Sequence, residues 1–338
     1  MAKLSFLGIL DAFTRKAPPV SKIDLKGKTV LVIGANTGIG FEAVQHFATM
    51  GPKRLILACR SQEKGEAAIQ RLEKATGYNQ AELWLIDLAE FASVKAFADR
   101  ALKELERLDI IVLNAALGTH NYSTTKDGWE SSLQVNDLSM SLLALRLLPR
   151  ITETAKKFDG TPRIVVVSSG VHYWSTLEDK VIESPNAFSL LSSKEFCTPE
   201  VIGTRYTDTK LLNLFFVRAL SHHLKDQSII VNAVDPGFCY SELRREITNI
   251  RTVIFEWLFA RTAEEGARQL IWASAGFPKG GLEELKGAYI YLSDVQEPAD
   301  KVLGEDGRKR EDKLWNDLIS ILKEVDPRVV DVVDQYLK

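Results

Sequence analysis

Residues 29–40 read Thr-Val-Leu-Val-Ile-Gly-Ala-Asn-Thr-Gly-Ile-Gly, and the reading of this stretch decides the fold. Four apolar residues follow Thr29 without interruption, which suits a strand covered on both faces. The run enters three glycines spaced Gly-x-x-x-Gly-x-Gly, and a helical pattern extends from Gly38 to Met50. Glycines at such a junction let the backbone turn tightly and approach a ligand closely. The free N–H groups at the helix start attract phosphate. Strand, glycine turn and helix therefore outline a dinucleotide site, with a spacing unlike the commoner Gly-x-Gly-x-x-Gly.

The same alternation continues outward. Arg54–Cys59, Glu82–Ile86, Ile110–Leu113, Arg163–Ser168, Ile229–Val234 and Ala288–Leu292 join Thr29–Gly34 as strand candidates. Helical patterns lie between them at Gln62–Thr76, Ser93–Arg107, Trp129–Leu148 and Thr207–Leu224. Strand and helix repeated end to end predict an α/β, Rossmann-type doubly wound parallel sheet of about seven strands with right-handed crossovers. Residues 1–26 form an N-terminal arm, set off by Ala17-Pro18-Pro19; 27–295 form the sheet domain, and 296–338 a helical extension packed on it.

Composition narrows the function classes. The 338 residues carry 43 basic and 45 acidic side chains, a net charge of −2, so no global attraction to nucleic acid is expected. A hydrophobic fraction of 45% with 26% charged residues is ordinary for a globular protein with a sizeable core. Cys59, Cys197 and Cys239 are too few and too scattered for a disulfide framework, which favours a reducing, cytoplasmic setting. No run of about 18 apolar residues occurs, so no transmembrane segment is expected. The apolar stretch from Met1 to Phe13 lacks a small-residue cleavage site and contains Asp11. It reads as a short helix that packs on the body, or else grazes a membrane surface, and not as a signal peptide. His46, His120, His172 and the pair His222-His223 lack the spacing of a metal site, and none is expected.

Two further features bear on chemistry. The second strand closes Leu57-Ala58-Cys59-Arg60, with no acid at the turn. An acid there would hold the 2′-hydroxyl of NAD, whereas the planar cation of Arg60 suits the 2′-phosphate of NADP. Tyr206 and Lys210 stand at i and i+4 near the start of a helix, so phenol and ammonium address one small volume, either a site or solvent.

Gly34-x-x-x-Gly38-x-Gly40, Asp87-Leu88, Asn114, Asn136, Ser168-Ser169, Tyr206-x-x-x-Lys210 and Pro236-Gly237 follow one another in this order. In this the chain resembles the short-chain dehydrogenase/reductase family over roughly residues 27 to 295, in particular its retinol dehydrogenase, WW-domain oxidoreductase and protochlorophyllide reductase branch. The resemblance implies NADP(H) as cofactor and a lipophilic ketone, aldehyde or alcohol as substrate, with a catalytically silent NADP(H)-binding regulator as the alternative. It implies four catalytic residues, Asn136, Ser169, Tyr206 and Lys210. Tyr206 would transfer the proton. A free phenol titrates at about pH 10, and the Lys210 ammonium would bring it closer to neutrality. Ser169 would hold the substrate oxygen, Lys210 would bond the nicotinamide ribose, and Asn136 would hold a water linking Lys210 to solvent.

Cofactor contacts are implied for Gly34, Asn36, Thr37, Gly38, Ile39, Gly40, Arg60, Asp87, Leu88, Asn114, Pro236, Gly237 and Ser241, besides Tyr206 and Lys210. Family members often pair through the helices containing Asn136 and Tyr206, so a homodimer is the implied assembly. Ile33, Ala116, Ser139 and Ser241 replace the family's usual residues without removing a catalytic group.

The interval from Ser169 to Tyr206, 206 − 169 = 37 positions, exceeds the family's simplest pattern of little more than a dozen. Its apolar residues, with those of Ile250–Leu258, suggest a lid over a roomy apolar pocket. Leu314, Trp315, Leu318, Ile319 and Leu322 form a helical stripe that should dock on the domain, and the valines at 329–333 have no account from sequence.

Overall fold

Buried β-branched runs assemble into one sheet. The computed structural model describes residues 15–20, 22–240 and 260–338. Within these, the strands are β1 (Thr29–Ile33), β2 (Arg54–Cys59), β3 (Ala81–Leu85), β4 (Ile110–Leu113), β5 (Arg163–Val167), β6 (Ile230–Asp235), β7 (Tyr289–Tyr291) and β8 (Asp294–Gln296). They lie in the order β3-β2-β1-β4-β5-β6-β7-β8. The first seven run parallel, and β8 returns antiparallel to β7. Every residue of β1, β4, β5 and β6 is buried, as strands sandwiched between helices require.

The helices are α1 (Gly38–Thr49), α2 (Gln62–Thr76), α3 (Phe91–Glu104), α4 (Ser139–Phe158), α5 (Asp179–Ile182), α6 (Ala187–Ser192), α7 (Pro199–His223), α8 (Ala263–Ala275), α9 (Gly304–Val325) and α10 (Arg328–Tyr336). Alternate strand residues feed two cores. Leu31, Ile33 and Ile111 pack with residues of α3, α4 and α7. Val30, Val32 and Val112 pack with Val44 and Phe47 of α1 and Leu270 of α8. Strand order reverses about β1, which opens a crevice at the carboxyl ends of β1 and β4.

The structure departs from the sequence expectations in three places. An eighth strand forms because Leu292 and Ser293, both at positive φ (51° and 59°), make the two-residue turn of a tight hairpin. Helix α7 begins at Pro199, capped by the Thr198 hydroxyl on Val201 N–H, so Tyr206 and Lys210 stand well inside it and not at its mouth. The helix carrying Asn136 is preceded by a short turn, Ser131–Leu133, and contains a π-helical turn, Gln134–Leu138.

The C-terminal stripe docks as expected. Trp315 stacks on Phe216 and His223 of α7, with ring centroids 6.3 and 4.9 Å away, and Leu314, Leu318 and Leu322 are buried. Helix α10 lies on α4, burying Val329 and Val332, which accounts for the valine-rich end. Asp326, between α9 and α10, is paired to Arg146 of α4, and both are almost fully buried.

Candidate active site

The crevice widens into a cavity of about 1260 Å³ that reaches from the end of β2 to the end of β6. Small-molecule sites usually measure about 300–1,000 Å³, so this one has room for a dinucleotide and a substrate. Gly34, Asn36, Thr37, Gly38, Ile39 and Arg60 line it on the β1–β2 side, joined there by Lys64. Asp87, Leu88 and Asn114 line its middle, and Ser169, Tyr206, Lys210, Pro236 and Gly237 its far side. Gly40 and Asn136 stand behind the wall, and Ser241 lies outside the described residues, as does the apolar segment 250–258.

The glycine turn meets the geometric demands of a phosphate cradle. Gly34 has φ +80°, and a Cβ there would come within 2.8 Å of Ala115 Cα. A Cβ on Gly40 would collide with the Gly34 carbonyl and the Asn114 amide. Asn114 Nδ2 donates to Gly34 O at 2.9 Å, tying β4 to the turn. The first turn of α1 carries no acidic residue, so its N–H groups and dipole are open to an anion. The Arg71 guanidinium, stacked 4.3 Å over the Phe41 ring, donates to Asn36 O at 2.7 Å and fixes the loop from outside.

On the far side, Ser169 stands two residues past β5, where its Oγ accepts from Val171 N–H at 3.3 Å as the cap of the 3₁₀ turn Gly170–Trp174. That bond leaves the hydroxyl proton able to point elsewhere. His172 steadies the same turn, its Nδ1 standing 2.7 Å from Ser169 O and its Nε2 accepting from Ala299 N–H at 3.2 Å. Lys210 Nζ lies 5.4 Å from the Tyr206 ring centroid, and donates to Val167 O at 2.7 Å and Asn213 Oδ1 at 3.3 Å. Burial pulls the Lys210 ammonium down to about 8, against the opposing charges of Asp137 and Asp235.

Asn136 is anchored through its side chain. Its side chain is committed to the backbone of Leu117, accepting from N–H at 2.7 Å and donating to O at 2.8 Å, with Thr209 Oγ1 at 3.1 Å. The link to Lys210 runs through Asn213, whose Nδ2 donates to Asn136 O at 2.9 Å and to Asp137 Oδ1 at 3.0 Å. Sequence reasoning missed Asn213, although it follows Lys210 at i+3 and thus shares its face. Asp137 and Asp235 were missed as well, since only the folded chain brings them near the ammonium.

Of the two segments suggested as a lid, 250–258 lies outside the described residues, and the helices of the insertion do not line the cavity. Only the insertion's first turn, through Gly170, Val171, Tyr173 and Trp174, reaches the cavity. The rest turns onto the C-terminal extension: Ala187 N–H donates to Asp317 Oδ2 at 2.8 Å, and Phe188 and Leu191 are buried. An inserted apolar segment needed a hydrophobic partner, and α9 supplies one.

Residues 28–174 match the family model described as short chain dehydrogenase. The chain is 33% identical over 328 residues to the short chain dehydrogenase/reductase dmxR8 of Cryptosporiopsis sp., covering 96% of this chain and 99% of that one. It is 36% identical over 273 residues to the short chain dehydrogenase sol3 of Alternaria solani, covering 79% and 93%. Among solved structures, a short-chain dehydrogenase from Sphingobium yanoikuyae in complex with NADPH matches with 25% identity and a TM-score of 0.53, covering 71% of this chain and 81% of that one.

Proposed function

The chain belongs to the short-chain dehydrogenase/reductase family, and from that premise we propose that it is an NADPH-dependent reductase of a lipophilic ketone or aldehyde. The observation that carries this reading is the single cavity that joins Ser169, Tyr206 and Lys210 to Arg60 and Lys64. A binding-only protein has no need of a proton path beside a cofactor cradle.

A nicotinamide dinucleotide bound there would supply the hydride. The chain's residues do the rest. The Ser169 hydroxyl holds the carbonyl oxygen, where negative charge develops. Tyr206 gives that oxygen its proton, and the Lys210 ammonium stabilises the phenolate left behind. Arg60 and Lys64 provide cations for a 2′-phosphate, which favours NADP(H) over NAD(H). Val171, Tyr173, Trp174, Leu117 and Val135 give the substrate end an apolar wall. Cys59, Cys197 and Cys239 are buried, each thiol donating to a backbone carbonyl, in keeping with a reducing compartment such as the cytoplasm.

The test is NADPH consumption by the purified protein against a panel of lipophilic ketones, aldehydes and quinones. Tyr206→Phe should lower turnover by about a hundredfold or more, since it removes the proton donor, while NADPH binding persists. A variant that keeps more than about a tenth of the rate would remove Tyr206 from the proton transfer.

A further inference from the structure

We propose that the carboxylate of Asp235 is a fixed charge that makes the nicotinamide end of the cavity prefer the oxidised, cationic ring, and so favours hydride delivery to substrate. The inference rests on the cofactor reading above. Asp235 ends β6, immediately before Pro236-Gly237, and lines the same cavity as Ser169, Tyr206 and Lys210. Three donors from three parts of the chain hold it. Gly237 N–H reaches Oδ1 at 2.8 Å, Tyr289 O–H reaches Oδ2 at 2.9 Å, and Gly170 N–H also donates.

A carboxylate accepts all three donors with its full set of lone pairs. Burial raises the group above its ordinary value, and the three donors with the Arg261 guanidinium limit that rise. The carboxylate is also rigid. A Cβ on Gly170 would stand 2.9 Å from Oδ2, and the Tyr289 ring is wedged edge-on against His172 with centroids 4.7 Å apart.

A clamp between the serine turn and the Pro-Gly turn could be made by a neutral side chain. A carboxylate adds net charge in a crevice where Coulomb interactions are weakly screened. The reduced nicotinamide is neutral and the oxidised ring is a cation. With a dinucleotide bound, a hydride with its two electrons would pass from the ring to the carbonyl carbon while the carbonyl oxygen takes a proton through Tyr206. An anion fixed in this wall would lower the free energy of the cationic product state. Lys210 and Arg261, cations in the same wall, act against it, and Asp235 offsets part of that repulsion.

The measurement is the affinity of NADP+ and of NADPH, titrated separately by calorimetry into wild type and Asp235→Asn. The expected result is a loss of about tenfold or more for NADP+ with NADPH changed less than about threefold. Tyr289→Phe, which keeps the charge and removes one donor, should leave the ratio of the two affinities near wild type. If Asp235→Asn does not fold, Asp235→Ser removes the charge with a smaller side chain and must give the same change in ratio. Affinities that fall together, or a ratio that does not move, would reduce Asp235 to a clamp and overturn the inference. Wild-type protein that binds neither dinucleotide overturns the cofactor reading itself.

Discussion

Lys210 is where the electrostatics of the site converge. Its ammonium, pulled down to about 8 by burial, is charged below that pH and loses its proton as pH rises through it. The cation that stabilises the Tyr206 phenolate then disappears, so kcat/KM for carbonyl reduction should fall as pH rises through about 8. A rise across that window in a pH-rate profile would contradict the assignment. Asn213 accepts from Lys210 Nζ, as Val167 O does, and is anchored on Asn136 O and Asp137. Hydrogen bonds to charged groups are worth about 1.5–3 kcal/mol, so Asn213→Ala should lower kcat by about tenfold or more with little effect on KM. It should also move the alkaline fall to lower pH, which a merely structural role would not do. The Tyr-Lys pair was legible in the sequence because its spacing is local. Asp137 and Asp235 were not, since burial and neighbours in space gave them their meaning.

At the scale of elements, legibility followed local chemistry. β1 and the glycine turn could be read because an unbroken apolar run and three glycines each have one good physical explanation. The β7–β8 hairpin could not, because Leu292-Ser293 occupies positive-φ positions where Asn-Gly would announce the turn. The start of α7 was obscured by Gly203 and by polar residues from Glu200 to Arg205. The inserted helices were misread in purpose. Apolar residues on the ligand side suggested a lid, yet α5 and α6 belong to the core shared with α9. Phe188, only 3% exposed, decides between the two roles. As core, Phe188→Ala should destabilise by about 3–5 kcal/mol in denaturant melts, while KM for bulky carbonyls stays within about twofold. A stable variant with an altered substrate range would restore the lid.

At the scale of the whole molecule, the C-terminal extension packs against the helices through which the resemblance implies pairing. The resemblance implies a dimer through the helices that carry Asn136 and Tyr206. In this chain α9 covers α7 and α10 covers α4, so the molecule applies its own helices to those faces. The cover is both apolar and ionic. Leu314, Leu318 and Leu322 are buried, each worth about 1.5–3 kcal/mol of transfer free energy, and the Arg146–Asp326 pair is sealed beneath α10 with Asp99 and Arg328 at its rim. Pairing through α4 and α7 would first have to strip this layer away, at a cost that a standard interface of about 1,600 Å² would struggle to offset. The full chain should therefore behave as a monomer in light scattering at micromolar concentration. Truncation after Leu303 should expose the Phe216 side of α7 and yield protein that self-associates or fails to fold. A full-length dimer that survives Trp315→Ala would show that another surface pairs the chains; a dimer lost on that change would show that α9 itself belongs to the contact.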